Sequence, residues 1–239
     1  MLNVLHGFTE DDLAWKEALA PLPVRGHLLP GHGWRPCPAG TSHLSLAREI
    51  AGRLTGDPVD LLGYSLGGRI ALSIALDFPQ RLRRLVLVSC CPGIADPLER
   101  TQRRSRDERL AEWLEKDGLG PFLAYWETLP ALKPGRPLPP ALEESIRARR
   151  LSHDPAGLAA ALRLLGQGVM EPVWDRLPTL KLPVLLVVGA ADANYRPVMT
   201  RMADAIPGAR LVEIPGAGHG IHREQPDALR LVVESFLRG

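Results

Sequence analysis

Lysine is nearly missing from this chain. Lys16, Lys116, Lys133 and Lys181 are all there is, so arginine carries almost all the positive charge. The formal net charge is only +2, too small for the electrostatic footprint of a nucleic-acid or anionic-membrane binder. Cysteine is scarce as well: Cys37, Cys90 and Cys91 are three, and two are adjacent, which rules out a disulfide framework. No apolar run approaches the ~20 residues that cross a bilayer. Met1-Leu2-Asn3-Val4-Leu5-His6 lacks the basic start and long apolar stretch of a secretory leader. No His/Cys/Asp grouping has metal-ligand spacing, and no glycines form a phosphate-binding G-x-G-x-x-G or P-loop. The expectation is a soluble cytoplasmic protein with no metal, no nucleic-acid or membrane partner, and a monomeric or weakly homo-oligomeric state.

The most informative residues are Gly63-Tyr64-Ser65-Leu66-Gly67, a G-x-S-x-G run. It follows the apolar stretch Val59-Asp60-Leu61-Leu62 and precedes a helix-like segment at 66–76. Strand, sharp turn and helix make this pattern a nucleophile elbow. The turn holds the serine in a strained conformation that small flanking residues tolerate. It also points the free N–H groups of a helix N-terminus at whatever the hydroxyl touches.

The remaining chain supplies a frame for that elbow. Hydrophobic residues make up 45% of the 239, enough for a sizeable core. Strands are expected at 2–5, 24–29, 58–62, 82–89, 183–189 and 210–214. Helices are expected at 11–19 (with Leu13, Trp15 and Leu19 inward), from Thr41 or Ser42 to 54, at 196–205 and at 226–237. Strands alternating with helices imply an α/β fold with a mostly parallel sheet flanked by helices. From 92 to 180 the alternation stops, and helices at 98–116, 121–127, 142–151 and 156–165 surround a proline-rich stretch at 129–140. This reads as a helical cap (92–180) inserted into a core formed by 1–91 and 181–239. Ligands of open α/β sheets bind beyond the strand carboxyl ends, so the cap is expected to roof the site.

A serine hydroxyl needs a base, and the base needs an acid to fix its tautomer. In this chain order, acid then histidine follow the serine. Asp192 comes straight after the apolar strand ending at Gly189-Ala190, and His219 lies in Pro215-Gly216-Ala217-Gly218-His219-Gly220, after the next strand. Ser65, Asp192 and His219 are therefore the expected triad. The backbone N–H groups of Phe8 and Leu66 are the expected oxyanion donors. His6 and His32 read as structural, His27, His43 and His153 as surface or core filler, and His222 is left open.

His6-Gly7-Phe8, Pro30-Gly31-His32-Gly33, the elbow, Gly189-x-x-Asp192 and Gly218-His219 resemble the α/β-hydrolase superfamily along nearly the whole chain. Finer features, GYSLGGR at 63–69, Cys91-Pro92-Gly93-Ile94 leading into Glu99-Arg100-x-x-Arg103, and AGHGIHREQP at 217–226, resemble the 2-succinyl-6-hydroxy-2,4-cyclohexadiene-1-carboxylate synthases of menaquinone biosynthesis. That resemblance implies a lyase, with no cofactor, that eliminates pyruvate from 2-succinyl-5-enolpyruvyl-6-hydroxy-3-cyclohexene-1-carboxylate. It implies Tyr64, Arg69, Arg103, Trp126 and Arg150 as residues of a pocket for a small polycarboxylate. Guanidinium groups match carboxylates bidentately, whereas Arg69 would be a liability in a pocket for neutral acyl chains. Leu28, where relatives usually carry aspartate, and Ala190-Ala191, in place of a polar pair, depart from the pattern. The alternatives are a carboxylesterase using the same triad for covalent attack, and a non-enzymatic binding protein of the same fold.

Overall fold

The computed structural model describes residues 1–56 and 58–239. In chain order the core runs β1 (Leu2–Leu5), α1 (Leu13–Ala18), β2 (Val24–His27), α2 (His43–Arg53), β3 (Val59–Tyr64), α3 (Leu66–Asp77) and β4 (Leu82–Val88). Four helices follow: α4 (Pro97–Asp117), α5 (Leu119–Trp126), α6 (Pro140–Leu151) and α7 (Pro155–Leu165). The chain then returns through β5 (Val184–Gly189), α8 (Arg196–Ala205), β6 (Arg210–Ile214), the short α9 (Ile221–Glu224) and α10 (Pro226–Arg238). Among the described residues, no helix is long and apolar enough to cross a membrane.

The strands form one sheet in the order β2-β1-β3-β4-β5-β6, with every neighbouring pair parallel. Parallel pairing puts all carboxyl ends on one edge, where β1, β3, β5 and β6 deliver Phe8, Ser65, Asp192 and His219. β5 is buried at every position, as a strand covered on both faces must be.

Side chains alternate across the sheet, and the core divides accordingly. Leu61, Leu87, Leu186 and Val188 pack with Ile50 of α2, Ile70 and Ile74 of α3 and Met199 of α8. Their neighbours Leu62, Val86, Leu185 and Val187 pack on the other face with Trp15 of α1 and Leu229 and Val233 of α10. Each fully buried leucine contributes roughly 1.5–3 kcal/mol relative to exposure. A third cluster, Ala111, Leu114, Phe122, Leu123, Leu158 and Leu162, joins α4, α5 and α7. The inserted helices thus carry apolar packing of their own.

Local capping fixes several boundaries. Ser42 caps α2 through a reciprocal bond with Ser45, Asp96 caps α4 and Asp154 caps α7. Each offers a side-chain oxygen to an N–H left over in the first turn. One expectation fails at α1. The Asp11 carboxylate accepts the Leu13 and Ala14 amides, which starts the helix at Leu13 and turns that side chain outward, 51% exposed. Trp15 and Leu19 do face the core.

Candidate active site

Ser65 sits between β3 and α3 with φ 49° and ψ −110°. Left-handed backbone at a non-glycine residue costs about 1–3 kcal/mol and persists only when its surroundings over-determine it. Here they do. Ser65 N–H donates to Val88 C=O at 3.0 Å, and Gly67 N–H donates to His6 C=O at 3.0 Å. The helix start is pressed onto the end of β1. A Cβ on Gly67 would lie 2.2 Å from Leu5 O, and one on Gly63 would lie 2.5 Å from Gly67 O. Only glycine fits at either position, which is the physical content of the motif.

His219 and Asp192 converge on this serine. His219 Nε2 lies 3.2 Å from Ser65 Oγ, and His219 Nδ1 lies 2.9 Å from Asp192 Oδ2. The arrangement fits Nδ1–H donating to the carboxylate, leaving Nε2 to accept the serine hydroxyl. The second oxygen of Asp192 accepts the Tyr195 amide at 3.1 Å, so the acid is held from both sides. Both supporting loops are packed together: Ala191 N–H donates to Ala217 C=O at 2.9 Å. Asp192 and His219 are buried, which keeps water from competing for their hydrogen bond.

Above Ser65 lies a cavity of about 570 Å³ between the sheet edge and the inserted helices. Phe8, Ser65, Leu66 and His219 form its floor, and Arg69, Arg103 and Trp126 stand on its walls. The Phe8 and Leu66 amides donate to no hydrogen bond among the described residues. Arg69 is only 6% exposed, and its Nε and Nη1 have no hydrogen-bond partner among the described residues. Burial pulls its pKa below the ordinary arginine value. Arg103 is bound by Asp107 one helical turn on, at 2.8 Å, and by Gln167 at 2.7 Å. Burial opposes its charge, but Asp107 more than offsets this and its pKa rises. Trp126 stacks on Phe122 and meets Phe8 edge-on.

Two residues expected in this pocket lie elsewhere. Tyr64 is the last residue of β3, and it faces the side of the sheet that carries Leu62 and Trp15. Its ring stands behind His219, 5.2 Å away, and beside His222, 5.0 Å away. It supports the histidine and is no part of the cavity wall. Arg150, in the last turn of α6, is turned toward Glu127, which it meets at 3.0 Å. It lines neighbouring cavities together with Arg223. Its neighbour Arg149 points away to Glu17.

Sequence reasoning missed a buried charge cluster beneath the Phe8 loop. Glu10 meets Arg223 at 3.0 Å and His222 at 3.2 Å, and its other oxygen accepts the Gly7 amide at 3.4 Å. Burial works against the carboxylate, but His222 and Arg223 outweigh it and hold its pKa far below the usual range. His222 also stacks on Trp15. The spacing between Glu10 and residues 222–223 gives no local signal, whereas Arg103 and Asp107, four apart on one helix, carry one. His6 and His32 are structural, as expected: each accepts a backbone amide, from Leu29 at 2.9 Å and Thr9 at 3.2 Å.

A serine, an imidazole and a carboxylate in series, facing two free amides, is the apparatus for making an alcohol oxygen basic and for holding an oxyanion. The sequence pattern of the alpha/beta hydrolase family matches residues 4–230, and the chain belongs to that family. One relative, from Bacillus subtilis (strain 168), is 35% identical over 98% of this chain and 88% of its own length. Its name assigns it provisionally as a 2-succinyl-6-hydroxy-2,4-cyclohexadiene-1-carboxylate synthase. Among solved structures, MenH from S. aureus superimposes with a TM-score of 0.92 at 32% identity, over 99% of this chain and 92% of that one. A thermophilic esterase from Thermogutta terrifontis, solved with malate bound, gives 0.85 at 30% identity, over 99% and 89%.

Proposed function

We propose that this protein is a lyase that converts 2-succinyl-5-enolpyruvyl-6-hydroxy-3-cyclohexene-1-carboxylate into 2-succinyl-6-hydroxy-2,4-cyclohexadiene-1-carboxylate and pyruvate, a step of menaquinone biosynthesis. The observation that carries this reading is the pairing of the Ser65–His219–Asp192 series with the unpartnered guanidinium of Arg69 in one cavity. A neutral acyl group would leave that charge buried and unanswered. A polycarboxylate would answer it. The Bacillus subtilis relative and the S. aureus structure support the same assignment.

In this reading His219, oriented by Asp192, draws the proton of Ser65 toward Nε2. The serine oxygen removes the ring proton alpha to the succinyl carbonyl. Negative charge builds on that carbonyl oxygen, and the Phe8 and Leu66 amides hold it, the largest electrostatic contribution in such sites. The electron pair moves through the ring alkene and breaks the C–O bond to the enolpyruvyl group. The leaving enolate takes up a proton and becomes pyruvate. Arg69 and Arg103 hold carboxylates so that proton and leaving group are aligned. A monomeric or weakly homo-oligomeric protein of the cytoplasm belongs to the same proposal.

The similarity to the Thermogutta esterase favours one second reading, ester hydrolysis through an acyl-Ser65 intermediate. A coupled pyruvate assay on the enolpyruvyl substrate, beside a panel of small esters, separates the two. Pyruvate release without a trapped acyl group supports the lyase. Brisk p-nitrophenyl acetate turnover with acylated Ser65 and no pyruvate overturns it.

A further inference from the structure

One buried carboxylate holds the loop that carries His219. Glu224, in α9 and 2% exposed, accepts three backbone N–H groups. Gly218 donates to Oε2 at 2.7 Å, Gly135 donates to the same oxygen at 2.6 Å, and Gly220 donates to Oε1 at 3.0 Å. Gly218 and Gly220 flank His219 in the chain. Gly135 belongs to the proline-rich segment of the insertion. The side chain of the next residue, Arg136, donates to the Glu224 carbonyl at 2.6 Å.

The two segments are in close contact around this carboxylate. A Cβ on Gly218 would lie 2.7 Å from Lys133 O, and one on Gly135 would lie 2.8 Å from Ala217 C. Glu224 itself does not line the Ser65 cavity, so it touches no substrate there. Residues 129–132, just upstream of Gly135, do line it. The imidazole is therefore aimed by a brace whose third anchor comes from the insertion.

We propose that Glu224 is a positioning residue: its carboxylate fixes the His219 loop against residues 133–136, and this brace sets the approach of His219 Nε2 to Ser65 Oγ. The inference rests on the Ser65–His219 pair acting as proposed above. Both oxygens of a carboxylate are acceptors only, so the group can face three donors at once. Glutamine of the same shape replaces one acceptor by an N–H₂ that meets an N–H head-on. A misplacement of about 1 Å at a reacting group lowers rates by about 10²-fold.

The test measures pyruvate release and the second-order rate of Ser65 labelling by a fluorophosphonate, with thermal melts as the folding control. Glu224→Gln is expected to lower kcat by about 10–100-fold and leave KM within about threefold, because substrate contacts are untouched. Labelling should fall in parallel. Gly135→Ala leaves Glu224 in place and disturbs the brace from the insertion side. It should lower kcat and labelling in the same sense. The double variant should be no worse than Glu224→Gln alone, since both changes break one unit. Wild-type kcat and labelling in both single variants overturns the proposal, as does a loss confined to KM or an additive double variant. If Glu224→Gln does not fold, Gly135→Ala decides. Slower labelling in the variants of a protein that releases no pyruvate keeps the brace and overturns the assigned substrate. Pyruvate release with labelling unchanged in the variants keeps the substrate and overturns the brace.

Discussion

Replacing Arg69 by methionine keeps an unbranched stem and removes the guanidinium, and it is expected to raise stability and lower activity together. The Nε and Nη1 of Arg69 are buried without partners among the described residues. An unsatisfied buried donor of this kind costs about 1–3 kcal/mol, and more when charged. Removing it should stabilise the fold by about 1–3 kcal/mol, and each kcal/mol moves Tm by about 2–4 °C in a chain of this size. With substrate bound the sign reverses. Truncating one partner of a buried charge pair costs about 2–5 kcal/mol, much of it from the carboxylate left alone. At about 1.4 kcal/mol per decade, kcat/KM for the acidic substrate should fall by about 30- to 4,000-fold. Turnover of a neutral ester such as p-nitrophenyl acetate, if present, should change less than about threefold, because no carboxylate is there to lose its partner. Pyruvate release and thermal melts on one preparation read both effects. A variant that melts earlier than wild type and keeps its kcat/KM within about threefold would refute the reasoning, since nothing would then distinguish Arg69 from a packed core side chain.

Two further changes probe the elbow and the fold. Gly67→Ala puts a Cβ 2.2 Å from Leu5 O, and backbone cannot yield cheaply, so a loss of about 1–3 kcal/mol in stability and a larger loss in kcat are expected. Wild-type melting and turnover would show that the helix start is not pinned to β1. Acid should also destabilise the protein through buried histidines. Burial, then the charge of Arg69, lowers the His43 pKa from 6.5 to about 3. Between those values the unfolded chain binds the proton and the folded chain does not, so stability is full above pH 6.5 and falls as pH drops toward 3. His43→Gln should flatten the dependence of Tm on pH across that window; an unchanged slope would contradict the assignment.

Much of this arrangement was readable from the sequence because its signals are local. Apolar stretches such as 183–189 are strands because both faces are covered. The two glycines around Ser65 mark a close approach that nothing larger survives. Asp192 and His219 were found because each follows a strand end, in the order acid then histidine that an elbow serine calls for. Where the reading failed, the deciding information was long-range. Tyr64 neighbours Ser65 in sequence, but strand alternation sends it to the opposite face of the sheet. Arg147, Arg149 and Arg150 crowd one helix; Arg147 and Arg150 both meet Glu127, and only the tertiary packing decides that Arg150 is the one buried. Glu10 and Arg223 form their ion pair across nearly the entire chain, with no periodicity to betray it.

In the proposed reaction Ser65, activated by His219 and Asp192, acts on a polycarboxylate as a base and not as an acyl acceptor. Pyruvate release from the enolpyruvyl substrate, followed with wild type and Ser65→Ala while intact mass monitors the protein, reports this role. The expected outcome is pyruvate in proportion to substrate consumed, no added mass on the wild-type chain, and loss of almost all turnover in Ser65→Ala. Unchanged turnover in Ser65→Ala, or a wild-type chain that gains an acyl group and releases no pyruvate, would contradict it.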